Sequence, residues 1–410
     1  MKSEYVGYAY LMDHPEVKAL SLPTSARIMA VTKKQHIEST LAIPAALKPK
    51  NTLLDHVLFA LKHEGINLQI LAQVMPLIKD ADMLESYEAS PTGKYIRIAC
   101  LLWEHFNQQK LQRNTELKNG KYIPLLDPSQ YITGTAQANK RWRVNLNLIG
   151  SLDYCVTVRR TPRLEHALAL DVLQKVKTFT ESLDESLLNR ALSWVYLSET
   201  RDSFAIEKEL LDTGKIQRYT NVLKQAHKPR NIDEGYLIEL QKATLNNPFE
   251  WAMSYRNEQN YLSNGAGSIG VTYVPPEPEL CRTLMKEWEE LTNNLPDNID
   301  PIVLGAVISF GFVFLHPFMD GNGRLSRFLF HHVLCRSGKL ANGLLLPVSA
   351  VLHNKERQYL QALTAYSSEV RQHWQVDYLD TDNFAFTFQG HEAIYRYWDG
   401  TACAELMAEA

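Results

Sequence analysis

The stretch "HPFMDGNGRLSR", residues 316–327, gathers a histidine, an acid, two glycines, an asparagine and two arginines. It follows an apolar run with no charged residue between Asp300 and Asp320. Gly321 and Gly323 let the backbone approach a ligand, and the helix expected to follow begins with N–H groups that favour an anion. Arg324 and Arg327 sit one helical turn apart and can face the same ligand. Two guanidinium forks beside backbone donors suit an oligophosphate better than a single carboxylate. Asp320 would repel that ligand unless a cation stood between them, which implies Mg²⁺ bridging phosphate oxygens. His316, neutral near pH 7, is then able to take a proton from an attacking hydroxyl. Taken singly, these residues read as a turn, a packed histidine and a solvated helix face; together they read as a nucleotide phosphate site.

The elements that position this loop read as helices. Apolar residues recur at helical spacing in "LLDHVLFALKHEGINLQILAQVM" (53–75) and "ALALDVLQKVKTFTESL" (167–183), with breaks at Glu64-Gly65, at "SPTGKY" (90–95) and in the Gly, Asn and Pro punctuation of 114–135. "IVLGAVISFGFVFL" (302–315) is too short to span a membrane, which takes about 20 residues, and reads as a buried core helix. Two segments read otherwise. "NYLSNGAGSIGVTYVPPEPEL" (260–280) suggests a hairpin through Asn264-Gly265 and Ala266-Gly267, and "VDYLDTDNFAFTFQ" (376–389) a short strand or edge. With 410 residues the chain has room for two or three domains, and a soft boundary falls near 160 at "RRTPRL".

Composition narrows the function classes. Hydrophobic content of 45%, charged content of 22% and a net charge of -3 are ordinary for a soluble protein and give no case for nucleic-acid or anionic-membrane binding. Five scattered cysteines show no metal-ligand or redox spacing, and with acids in the N-terminal "MKSEYVGYAYLMDHPEV" in place of an export signal, they fit a reducing cytoplasm. "NKRWR" (139–143) reads as a solvated face, and His331-His332 as core and rim residues.

At every specified position "HPFMDGNGRLSR" resembles the signature of Fic-domain proteins, His-x-Phe-x-(Asp/Glu)-Gly-Asn-Gly-Arg-x-x-Arg. The resemblance implies an all-α fold, a Fic helical core with a small β-hairpin flap, and a mainly helical N-terminal domain. It implies transfer of AMP from ATP to a hydroxyl of a protein Ser, Thr or Tyr, the chain itself included, with release of pyrophosphate. His316 would be the catalytic base, Asp320 the Mg²⁺ ligand, and Gly321, Asn322 and Gly323 the cradle of the α- and β-phosphates. Arg324 and Arg327 would bind the outer phosphates, and Phe318 would anchor the loop in the core. "YRNEQNYLSNGAGSIGVTYVPPEPELCRTLMKEWEEL" (255–291) is similar to the family's flap segment, which registers the target by strand addition.

"SFAIEKE" (203–209) places Ser203 and Glu207 on one face of a helix and resembles the family's inhibitory motif, Ser/Thr-x-x-x-Glu-Gly/Asn. Carried over, Glu207 would pair with Arg327 and leave ATP in an unproductive pose. Lys208 departs from the motif, standing where the family prefers Gly or Asn. The resemblance extends to the N-terminal region and to 344–363 and 390–410 of longer bacterial members, whose chains continue past the point where this one stops. It implies an accessory domain over 1–160, linking helices with the motif over 161–230, a core over 231–375 with its flap at about 256–275, and an extension over 376–410. Other readings keep the fold but change the donor nucleotide or remove AMP, or make the chain a nucleotide-responsive binding module. Dimerisation is left open.

Overall fold

Between residues 25 and 44 turns interrupt the chain too often for a helix, and strands form instead. This is a computed structural model that describes residues 4–114, 117, 120–245, 247–264, 270–340, 343–380 and 383–410. Strands β1 (Glu4–Tyr5), β2 (Ser25–Met29), β3 (Gln35–Ile37) and β4 (Thr40–Pro44) make a sheet in the order β1-β2-β4-β3, with β2 and β4 parallel. Its inner residues Ala26, Leu41 and Ile43 cluster with Val6 and with Phe59 of helix α1 (Leu53–His63). The helical expectation for residues 1–160 did not include this sheet, because strands of two to five residues are too short to show a period.

Thr52 caps α1 by accepting the Asp55 N–H at 3.1 Å, and Gly65, at φ +95°, takes the chain away from its end. Helix α2 (Lys94–Asn107) buries Arg97, which donates to the carbonyls of Trp142 at 2.8 Å and Lys121 at 2.9 Å. Trp142 is itself fully buried, and its Nε1 donates to Glu104, which also pairs with Arg141 at 2.9 Å. "NKRWR" is therefore a core corner rather than a solvated face. These elements, Met1–Leu148 with Gln389–Trp398, are one compact unit.

The second unit is Ile149–Phe388 with Asp399–Ala410. In chain order it contains helices α3 (Glu185–Ile206), α4 (Thr213–Lys224) and α5 (Glu234–Thr244), then the antiparallel pair β5 (Leu262–Ser263) and β6 (Val271–Tyr273). There follow α6 (Pro278–Asn293), α7 (Pro301–Leu315), α8 (Asn322–Arg336), α9 (Val348–Asn354), α10 (Glu356–Arg371), the hairpin strands β7 (Trp374–Asp380) and β8 (Asn383–Phe388), and α11 (Thr401–Ala408). The segment after Ile149 belongs here because Gly400 N–H reaches Thr157 O at 2.8 Å and Arg163 pairs with Glu409. Gly265, Ala266 and Gly267, expected in the turn of the first hairpin, lie outside the described residues.

Helix α7 is the centre of this unit: every residue of it except Val313 is buried. Its two glycines cost about 1 kcal/mol each in helix propensity but allow close approach. A Cβ on Gly305 would meet Phe330 of α8 at 2.7 Å, and one on Gly311 would meet the Tyr154 hydroxyl at 2.9 Å. Among the described residues no helix is long and apolar enough to cross a membrane. The segment expected as one strand at 376–389 is a two-stranded hairpin.

Candidate active site

Where α7 ends, His316 takes a left-handed backbone at φ 50° and turns its ring inward, leaving the residue 8% exposed. Its Nδ1 lies 3.1 Å from Val313 O, so Nδ1 carries the proton and Nε2 the lone pair. Burial pushes the imidazole down to about 4, and the nearby Arg256 guanidinium adds to this, against the raising effect of the Val313 contact and of Glu207 and Asp320. Arg256, which lies ahead of β5, braces this corner by donating Nε to His316 O at 2.9 Å.

The loop is held from inside. Phe318 is fully buried, and Asn322 closes a ring on it: Phe318 N–H donates to Asn322 Oδ1 at 3.1 Å, and Asn322 Nδ2 returns to Phe318 O at 2.8 Å. Asn260 Nδ2 adds donations to Phe318 O at 3.2 Å and Met319 O at 3.3 Å. Gly321, at φ +90°, then starts α8, whose first N–H groups have no intrahelical acceptor. Asp320 stands at the mouth, half exposed, and takes the Gly321 N–H.

Both arginines are buried, and both are engaged by α3 and the turn after it. Arg327 donates Nε to Ser203 Oγ at 2.7 Å, and Nη2 to Ser203 O at 2.9 Å and to Glu207 Oε1 at 2.7 Å. Burial would lower its pKa, yet the Glu207 carboxylate raises it overall. Arg324 pairs with Glu209 Oε1 at 2.9 Å and lies over the Phe204 ring at 5.1 Å. Ser203 Oγ donates to the Tyr219 hydroxyl at 3.2 Å, and Tyr219 donates to Arg324 O at 2.9 Å. Burial pushes that phenol up to about 12, keeping it a neutral donor. Glu207 also covers the start of α8, since a Cβ on Gly323 would meet its Oε1 at 2.1 Å.

All ten residues singled out by sequence therefore converge: His316, Phe318, Asp320, Gly321, Asn322, Gly323, Arg324 and Arg327 on one loop and helix, Ser203 and Glu207 against it. Sequence reasoning assigned no role to Glu209, Tyr219 or Glu199. Glu199, fully buried, meets His331 Nε2 at 2.9 Å and accepts the Ser349 N–H at 2.9 Å. His331 and His332 are both buried, so neither is a rim residue. Among the described residues no cluster of three or more His, Cys, Asp or Glu could hold a metal. A single half-exposed carboxylate such as Asp320 nonetheless fits Mg²⁺, which commonly takes one or two carboxylates and completes its shell with phosphate and water.

Residues 231–334 match the Fic/DOC family. A protein adenylyltransferase Fic of Nematostella vectensis is 30% identical over 155 residues, covering 37% of this chain and 34% of that protein. Protein adenylyltransferase fic-1 of Caenorhabditis elegans is 30% identical over 135 residues, 32% of this chain and 24% of that one. The chain thus spans about a third or less of the curated relatives' length. Among solved structures, a Fic family protein of Desulfovibrio desulfuricans G20 aligns at TM-score 0.45 and 20% identity, covering 60% of this chain and 71% of that one. Fic-1 of C. elegans aligns at TM-score 0.36 and 17% identity, covering 79% of this chain and 92% of that one. The loop at His316, α7 and all of α8 but its last two residues lie within the residues that match the Fic/DOC family, whereas α3 and Glu207 precede them.

Proposed function

We propose that the chain is a protein adenylyltransferase, transferring AMP from ATP to a hydroxyl side chain of a target protein, itself included, and that Glu207 holds it inactive. The observation that carries this is the convergence on one loop and helix of His316, buried and with Nε2 left unprotonated, the N-terminus of α8 and two buried arginines. In the reaction the target oxygen attacks the α-phosphorus, its proton passes to His316 Nε2, and the bond to pyrophosphate breaks. The first N–H groups of α8 face the anion, and Arg324 and Arg327 take the outer phosphates once released. Asp320 is the residue that would hold Mg²⁺, which neutralises phosphate charge when bound. Positioning and charge stabilisation supply most of the rate. Five free thiols, four of them buried, agree with a reducing compartment such as the cytoplasm.

The lock follows from the same contacts. Glu207 occupies Arg327 and the space above Gly323, so a negative group stands where an outer phosphate would lie. The test is incorporation of α-labelled ATP into protein by the unaltered chain, Glu207→Gly, and Glu207→Gly with His316→Ala. Label should rise in the second form and fall by roughly a hundred- to ten-thousandfold in the third, the scale of one general base, with ATP still bound. Binding without label in any form would favour a nucleotide-responsive module or another donor.

A further inference from the structure

The β7–β8 hairpin has one aromatic face. Its register pairs Trp374 with Phe388, Val376 with Phe386 and Tyr378 with Phe384, and these six side chains share a side, while Gln375, Asp377 and Thr387 alternate to the other. A ribbon that packed only on the core would bury that side. Here only Trp374 is buried, and Tyr378 is 58% exposed.

This face is continuous with the active-site loop. Tyr261 packs on it with ring centroids 5.4 Å from Phe384 and 5.3 Å from Phe386. The preceding residue, Asn260, is the one hydrogen-bonded to Phe318 O and Met319 O. From the other side Arg371 donates to Val271 O of β6 at 3.0 Å and to Trp374 O of β7 at 2.7 Å, bolting the two hairpins together. Between loop and hairpin the surface continues through Met319, 56% exposed, and Leu262 of β5, 39% exposed.

We propose that the aromatic face of the β7–β8 hairpin is a docking surface for the target polypeptide, gripping an apolar side chain of an extended segment whose hydroxyl residue reaches His316. The inference rests on the transferase reading above. Consecutive residues touch loop and hairpin, so the gripped side chain lies roughly two to four residues from the hydroxyl at about 3.3 Å per residue. A second copy of the chain fits less well. The exposed parts of these few side chains offer roughly a few hundred Å², short of the ~800 Å² per partner of a stable dimer.

The test uses the full chain carrying Glu207→Gly, with and without Tyr378→Ser and Phe384→Ser. Each form is given α-labelled ATP and a library of Ser, Thr and Tyr peptides randomised at the flanking positions. The parent should prefer peptides with an aromatic or large aliphatic residue near the hydroxyl by about tenfold, or about 1.4 kcal/mol. The hairpin variant should lose that preference while labelling the remaining peptides equally and binding ATP unchanged. An equal preference in both forms, or none in the parent, overturns the inference. If no peptide is labelled, fluorescence anisotropy with the same peptides decides: binding that depends on the hairpin upholds the docking surface and removes the transferase reading, while binding that ignores it overturns the docking surface. Sedimentation that changes from dimer to monomer in the variant also overturns it, in favour of self-association.

Discussion

The two ends of the α3–α8 contact are built from the same kinds of residue and behave as different devices. At the inner end Glu199, His331 and Ser349 are sealed from water and bonded to one another. At the outer end Glu207 and Glu209 are about a third exposed and hold two buried arginines. Glu199, Ser203 and Glu207 follow at four-residue spacing on α3 and meet His331 and Arg327 on α8, so the buried end sets the register in which the outer acids fall on their arginines. Under the proposed function Glu207 would be a releasable bolt and Glu199 its fixed hinge, and burial is what separates them.

The hardest way to break that contrast is at the fixed end. Glu199→Ala leaves the Ser349 N–H and a buried imidazole without their acceptor, and removing one partner of a buried polar pair typically costs about 3–5 kcal/mol. Thermal unfolding should show a drop in Tm of several degrees or more; a drop no larger than that of an exposed substitution would mean that the inner end does not set the register.

At the outer end stability and activity should part company. Each pair joins a buried guanidinium to a carboxylate that water can replace, so Glu207→Gly with Glu209→Ala should destabilise the chain by about 1.5–3 kcal/mol, less than Glu199→Ala does. AMP incorporation should rise, in the order double variant, Glu207→Gly, Glu209→Ala, because each carboxylate competes with a phosphate for one guanidinium. A charge-assisted contact of about 1.5–3 kcal/mol sets the gain from freeing each arginine at roughly ten- to hundredfold. If Glu209→Ala adds nothing to Glu207→Gly, Arg324 is not limiting.

A smaller effect sharpens the bolt itself. Lys208 is held at φ 58°, with its N–H on Ala205 O at 3.0 Å and that of Glu209 on Phe204 O at 3.1 Å. This is the left-handed end of a helix, where glycine is at home and a lysine costs about 1 kcal/mol. Lys208→Gly should raise stability by roughly 0.5–1 kcal/mol and lower basal incorporation, since the locked geometry is the one relieved. Higher basal incorporation would show that the strain is not part of the lock.

These differences mark what the sequence could reveal. The loop was legible because its residues are contiguous: His316 to Arg327 needs only a helix end, a turn and a helix start to become a site. Glu207 was legible through its spacing from Ser203. Glu209 was not, because reaching Arg324 depends on the left-handed turn at Lys208, and no helical spacing encodes that reversal. Glu199 and His331 were hidden by being 132 residues apart, a pairing that only the packing of α3 on α8 creates. The N-terminal sheet escaped for want of strand length, and the aromatic face of β7–β8 because alternation was read as one strand where two are paired.

The smallest expected effect is close to none, and it tests whether burial does to the base what it does to the inner anchor. His316 has its pKa lowered to about 4 in the fold, against 6.5 for an ordinary histidine, so its neutral form persists as pH falls and is lost only on passing about 4. The sign is set by burial, helped by Arg256 and opposed by Val313, Glu207 and Asp320. In the chain freed of both Glu207 and Glu209 one opposing charge is gone and the value can only fall further. Incorporation measured under saturating ATP should therefore change by no more than about twofold between pH 7 and pH 5, whereas a base with an ordinary histidine pKa would lose roughly twenty- to thirtyfold over that range. A fall of that size would place His316 in water during turnover, and the loop would then belong with the releasable outer end of the contact instead of the sealed inner one.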